Sequence, residues 1–286
     1  MANLSLNPMA TTNAAGSFGV QSDGFIQGVA LDDPANRFNL ASGTVAATET
    51  KPLWGGLPVA ELLPGVNSSP RGSTIRRAVS LAELEGFTVF NQAHNGLTTP
   101  QSPVPLYASG MSVSFYRLGS NMRVPLKASA QVVALGTAGA SVKTPLAWDF
   151  VNNQVTTAAA AAFAGADIAT TAVTYSNGVA TATTASAHGL TAGQYVKISG
   201  VAPAAYNGTV VVLTVPSTTT FTYAPASAPG GSATTQGTIG AVAQADITLP
   251  VKVISIESGN SKTVSYDSAT GFLTRNNTDS CALVLL

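Results

Sequence analysis

The stretch Ala172-Val-Thr-Tyr-Ser-Asn-Gly-Val-Ala-Thr-Ala-Thr183 decides the fold class. Two β-prone runs, 172–175 and 179–183, flank Asn177-Gly178, a residue pair suited to the positive φ angles of a tight hairpin turn. The same grammar repeats downstream. Residues 194–198 form a short alternating run, Tyr206-Asn-Gly-Thr209 turns into 210–215, and 219–223 follows. Five short strands at regular spacing predict a small β-sandwich or barrel.

Between residues 151 and 245 the only charged side chains are Asp167 and Lys197, while the flanks carry all the rest. That shift marks an inserted module, placed at 166–238. Its borders are low in complexity: TTAAAAAFAG over 156–165 and PASAPGGSATTQGTIG over 225–240. Small residues with Pro and Gly favour linkers. The alanine run, although a good helix former, is therefore read as a hinge.

The rest of the chain is also β-like. In Gly110-Met-Ser-Val-Ser-Phe-Tyr-Arg117, Met111, Val113 and Phe115 alternate against Ser112, Ser114 and Tyr116, the period of a half-buried strand. Residues 249–256 continue the pattern. A last hairpin is expected from 262–266 and 271–274 around Asp267-Ser-Ala-Thr270, followed by a buried terminal strand, 281–286, that contains the single cysteine, Cys281. The best helix candidate is Ser80-Leu-Ala-Glu-Leu-Glu85, with Ser80 and Glu83 at capping-box spacing and Gly86 as its stop. Pro34, Pro52, Pro58, Pro64 and Pro70 break every run in the first 75 residues. The reading is all-β: an extended N-terminal arm (1–75) of the kind that orders on a neighbour, a core (76–165 and 239–286), and the inserted small β domain (166–238).

Composition narrows the function. Charged residues are 9% of the 286, against about a quarter in an average soluble domain. Thirteen basic and thirteen acidic residues cancel, which argues against nucleic acid or an anionic membrane as a partner, since both call for a net basic face. Weak self-repulsion suits a subunit of an assembly. The N-terminus has no basic region followed by an apolar one, and no run of about 18 apolar residues occurs, so synthesis and retention in a cytoplasm until assembly are expected.

No catalytic constellation is legible. His94 and His188 fall on different expected modules, so a zinc site or a Ser-His-Asp triad is hard to assemble, and both read as loop residues. Asp32-Asp33 and Glu83/Glu85 are adjacent in sequence, which does not set two acids across a scissile bond. No phosphate-binding glycine loop is present, and no cofactor or metal is expected. The chain therefore reads as a non-enzyme, with a glycan-degrading tail component as the weakest alternative. Arg71, Arg76 and Arg77 are the only basic cluster, either a contact for an acidic surface or a solvated loop. Trp54, in Pro52-Leu-Trp-Gly-Gly-Leu57, is either an interface anchor or a core residue, as is Trp148.

Four segments resemble those of tailed-bacteriophage capsid cement (decoration) proteins: Ala41-Ser-Gly-Thr-Val-Ala-Ala-Thr-Glu-Thr-Lys-Pro-Leu-Trp-Gly-Gly56, Phe90-Asn-Gln-Ala-His-Asn95, Gln101-Ser-Pro-Val-Pro-Leu106 and Gly259-Asn-Ser-Lys-Thr-Val-Ser-Tyr-Asp267. The resemblance implies a jelly-roll-like β-sandwich core and a small homo-oligomer, a dimer before a trimer. It also implies binding to the major capsid protein on the outer capsid surface of the virion. The insert is similar to a small β module recurrent in phage virion proteins, in Ala187-His-Gly-Leu-Thr-Ala-Gly-Gln194 through Tyr206-Asn-Gly-Thr209 to Thr219-Thr-Phe-Thr-Tyr223. A second function follows for that module: contact with host glycans, with Tyr175, Tyr195, Tyr206 and Tyr223 stacking on sugars.

Overall fold

The fold is all-β, as the sequence predicts. The computed structural model describes residues 24–30, 39–63, 72–90, 106–267 and 270–286. The chain divides into two compact units. Unit 1 holds Met1–Arg77, Glu85–Ala138 and Val253–Leu286; unit 2 holds Ala78–Leu84 and Gly139–Lys252. The independent unit is thus wider than the 166–238 insert expected from charge, because apolar packing rather than charge density sets its limits.

Unit 1 begins with β1 (Leu40–Val45), β2 (Leu53–Trp54), β3 (Pro58–Leu62), β4 (Ser73–Arg77), β5 (Gly86–Val89), β6 (Leu106–Tyr107) and β7 (Ser112–Arg117). Five of these close into a barrel in the order β1-β4-β3-β5-β7, with β7 returning to β1 and the β1–β4 pair parallel. Residues 40–62 are therefore not an extended arm. Pro52 precedes β2 and Pro58 opens β3, positions where a missing N–H leaves the ladder intact. Val45, Leu53, Trp54, Leu57, Val59, Ile75, Val113 and Phe115 are buried together as the core. In β7, Val113 and Phe115 point inward as expected; Tyr116, expected outside, is fully buried too, while Met111 precedes the strand and is exposed.

Residues 24–30 thread through this unit. Gln27 N–H donates to Lys262 O, Gly28 N–H to Pro125 O and Ala30 N–H to Phe90 O. Gly28, at φ +72°, packs so close to Gly55 that a Cβ would lie 2.1 Å from its carbonyl carbon, which only glycine allows. After β8 (Arg123–Lys127) comes an unforeseen helix, α1 (Ala130–Thr137), capped by the Ser129 hydroxyl on Val132 N–H and anchored by buried Val132.

Unit 2 opens with the hairpin β9 (Leu146–Asp149) and β10 (Gln154–Thr157). The alanine run forms a one-turn helix, α2 (Ala158–Ala161), in place of the expected hinge. The Thr157 hydroxyl accepts from Ala160 N–H, and Ala158 and Ala161 are buried. Then come β11 (Ile168–Ser176), β12 (Val179–Thr184), β13 (Tyr195–Ser199), β14 (Gly208–Ser217), β15 (Thr220–Tyr223) and β16 (Thr238–Gly240), closed in the order β11-β12-β15-β14-β13-β16. The β11–β12 turn has Asn177 at φ 49° and Gly178 at φ 84°, the two positive angles that its sequence requires. A sixth strand, β16, closes the barrel inside the stretch read as a linker, by pairing with β11 and β13. A short helix, α3 (Gln244–Ile247), ends this unit. The helix expected at 80–85 is a single 3-10 turn, Leu81–Glu83; Ser80 makes no side-chain cap.

The chain then re-enters unit 1 as β17 (Lys252–Tyr266) and β18 (Leu273–Leu285), which form a sheet in the order β17-β18-β8. The expected hairpin and terminal strand are fused in these two long strands. The core expected to be jelly-roll-like is thus a closed five-stranded barrel together with this three-stranded sheet. Cys281 is buried, and desolvation pushes its thiol up to about 12, so it packs as a small apolar side chain.

Candidate interaction surface

Of the four expected interface residues, Arg71 lies outside the described residues, as do His94, Asp32 and Asp33. Trp54 is fully buried in the unit 1 core and is not a surface anchor. Arg77, half-buried at the end of β4, stacks its guanidinium 5.0 Å from the centre of the Trp54 ring and donates to Pro52 O at 2.8 Å. Its backbone N–H donates to Glu49 at 2.9 Å. Burial pushes the guanidinium below its ordinary value, against the pull of Glu49 and Tyr266. Arg76 donates to Arg77 O at 3.1 Å. The structure brings Trp54 and Arg77 together, but as an internal brace.

Two ion pairs of unit 1 join strands distant in sequence. Arg117 on β7 reaches Glu61 on β3 through two nitrogens at 2.7 and 2.9 Å, and the Ser73 hydroxyl also donates to Glu61. These bonds, led by that from Arg117, hold the Glu61 carboxyl below its ordinary range despite partial burial. A hollow of about 320 Å³ beside Arg117, lined also by Asn39 and Ser120, therefore meets a guanidinium already committed to Glu61. Asp279 on β18 accepts from Thr263 at 2.7 Å and lies 3.3 Å from Lys127. Burial opposes its ionisation, but the Thr263 and Ser280 hydrogen bonds and Lys127 outweigh it and hold the carboxyl below the usual range.

Several large apolar side chains stand exposed. In unit 1, Leu63 is 95% exposed just beyond β3, Phe272 is 73% exposed at the tip of the β17–β18 hairpin, and Ile254 is 46% exposed on β17. Phe272 stood inside an expected hairpin, yet nothing in its local sequence distinguished an exposed tip from a packed one.

In unit 2 the sugar-stacking reading loses its residues. Tyr195, Tyr206 and Tyr223 are buried in the core, and Tyr175 packs half-buried against it. Tyr195 donates to Trp148 O at 2.6 Å and Tyr223 to Tyr206 O at 3.2 Å. Desolvation raises both phenols far above their ordinary value. Trp148 is fully buried. His188 is a buried loop residue whose Nδ1 accepts from Leu190 N–H at 3.0 Å, with its ring edge-on to Phe221. Glu83 closes the 3-10 turn Leu81–Glu83, and Glu85 follows two residues later. Among the described residues no group of three or more His, Cys, Asp or Glu is placed to hold a metal ion, and no helix is long and apolar enough to cross a membrane. No family model, curated protein or solved structure matches this chain.

Proposed function

We propose that this chain is a structural, non-enzymatic virion protein of a tailed bacteriophage, which binds the outer surface of the capsid as a small homo-oligomer and bridges major capsid subunits. One observation carries the reading: the described parts of the segments that resemble cement proteins all build unit 1. Residues 41–56 supply β1, β2 and the Gly55-Gly56 seat of the threaded segment, and 259–267 supply the part of β17 that this segment pairs with. Unit 2 enters between α1 and β17 and contributes to none of them.

The physics of such a clamp is modest and cumulative. Exposed Phe272 and Leu63 supply apolar contact, and aromatic anchors carry much of the energy of typical interfaces. Few charges need desolvating when a face of this kind is covered. A protein that binds only the assembled shell stabilises it by about 2.7 kcal/mol per site at a concentration one hundred times its Kd.

The test is direct. Purified expanded capsids mixed with the protein should bind it to saturation, and virions lacking it should release DNA at a lower temperature. Capsids that take up no protein, or stripped virions with unchanged heat resistance, end the proposal.

A further inference from the structure

Residues 24–30 meet unit 1 as a turn wedged into it, not as a strand laid along it. Val29 N–H donates to Ile26 O at 3.2 Å, and Gly28, at φ 72°, supplies the positive angle that the third position of such a turn needs. Isolated bridges stand on either side, Ile26 to Lys262 and Val29 to Phe90. The tip between them, Gln27 and Gly28, is buried.

Hydrogen bonds tie this turn to three separate strands. Gln27 Oε1 accepts from Val264 N–H at 3.1 Å, Gln27 N–H donates to Lys262 O at 3.0 Å and Lys262 N–H donates to Phe25 O at 2.8 Å, all on β17. Gly28 N–H donates to Pro125 O on β8 at 2.7 Å. Just past β5, Ala30 N–H donates to Phe90 O at 2.8 Å and Phe90 N–H to Gly28 O at 2.9 Å. The floor is Gly55-Gly56, against which Gly28 and the Gln27 side chain lie.

Two features set the segment apart from the barrel strands. Its buried tip is a polar side chain and a glycine, and Ile26 and Val29 pack against the core only in part, so withdrawing it uncovers little apolar surface. Withdrawing β7 would instead uncover Val113, Phe115 and Tyr116. Gln27 Nε2 is also buried without an acceptor, which opposes docking. We propose that residues 24–30 are a strap that opens and closes as one unit, at a lower free energy than the barrel, and so uncovers a slot for an extended chain. The slot recognises main chain through Phe90 and Lys262, and a Gln-Gly tip through Val264 N–H and the Gly55-Gly56 floor. None of this depends on the capsid reading.

Native-state amide exchange on the full chain tests this. In the wild-type protein, after correction for intrinsic rates, the amides of Gln27, Gly28, Ala30, Phe90, Lys262 and Val264 should share one opening constant, about tenfold or more above that of the amides between β1 and β7. Gln27→Ala, which removes the acceptor of Val264 N–H, should raise the shared constant about fivefold or more and leave the β1–β7 amides unchanged. Strap and barrel amides that open together in the wild type overturn the proposal, whether or not the variant folds. Opening constants at Phe90 and Lys262 that differ tenfold, or a variant that accelerates Val264 alone, overturn it by dissolving the unit into separate contacts.

Discussion

In unit 2 the six barrel strands meet as antiparallel pairs, and β11 and β12 are joined through only two residues. The unit 1 barrel instead includes a parallel pair that sets Gly43 beside Ser73, and residues 24–30 reach across to Lys262. Charge divides in the same way. Asp167 and Lys197 are the only charged residues between 151 and 245, whereas unit 1 joins distant strands with Glu61–Arg117 and Lys127–Asp279. Unit 2 is held by packing and by hydrogen bonds, local at the Asp149 carboxylate and long-range between Tyr195 and Trp148; unit 1 adds ion pairs between strands far apart in sequence.

The two tryptophans, Trp54 in unit 1 and Trp148 in unit 2, allow each body to be followed separately. The largest effect is expected from Trp54→Ala. Emptying this buried site should cost unit 1 about 4 kcal/mol, with the stacking of Arg77 lost as well. Trp148 fluorescence should report an unchanged transition in unit 2, while the unit 1 transition, whose tryptophan the substitution removes, is followed by amide exchange of its buried strands. An equal shift of both transitions would break the comparison by showing that the units unfold together.

Next in size is Asp279→Asn, which should cost unit 1 about 2 kcal/mol at neutral pH, the scale of a hydrogen-bonded charged group. Because the folded carboxyl titrates below its unfolded value, the wild-type advantage is fully present above about pH 4 and fades as pH falls through the lower, folded value. Denaturant titrations of both proteins at pH 7 and pH 3 check this. A gap between them that persists at pH 3 would assign the effect to shape rather than charge.

A smaller loss, about 1 kcal/mol, is expected in unit 2 from Gly178→Ala, since the turn holds this residue at φ 84°. That turn also shows what was legible in the sequence. Asn177-Gly178 encodes its own geometry, so β11 and β12 could be read from twelve consecutive residues. The β1–β4 pairing has no such local code, and prolines at the ends of strands made 40–62 resemble an arm. Thr157 as the cap of α2 was visible as a residue type, but the burial that turns Ala158 and Ala161 into packed helix depends on the rest of unit 2. Trp54 and Arg77 were each legible as possible contact residues but not as partners of one another, because burial, which decides between brace and surface, is a property of the closed barrel. Glu61 and Arg117 lie 56 residues apart, beyond any local pattern.

That last pair supports the smallest prediction. Arg117 keeps about half its side chain in water, so screening and side-chain entropy limit the bridge to less than about 1 kcal/mol. Glu61→Gln should therefore lower the midpoint of unit 1 slightly at low ionic strength and by nothing measurable in 1 M salt, where the Debye length is about 3 Å. Unit 2 should show a weaker salt dependence, because its barrel strands carry a single charged side chain, Lys197. Guanidinium is itself a salt, so the comparison has to be made in urea. If unit 2 responds to salt as strongly as unit 1, the division between an ion-paired body and a nearly chargeless one describes composition without describing stability.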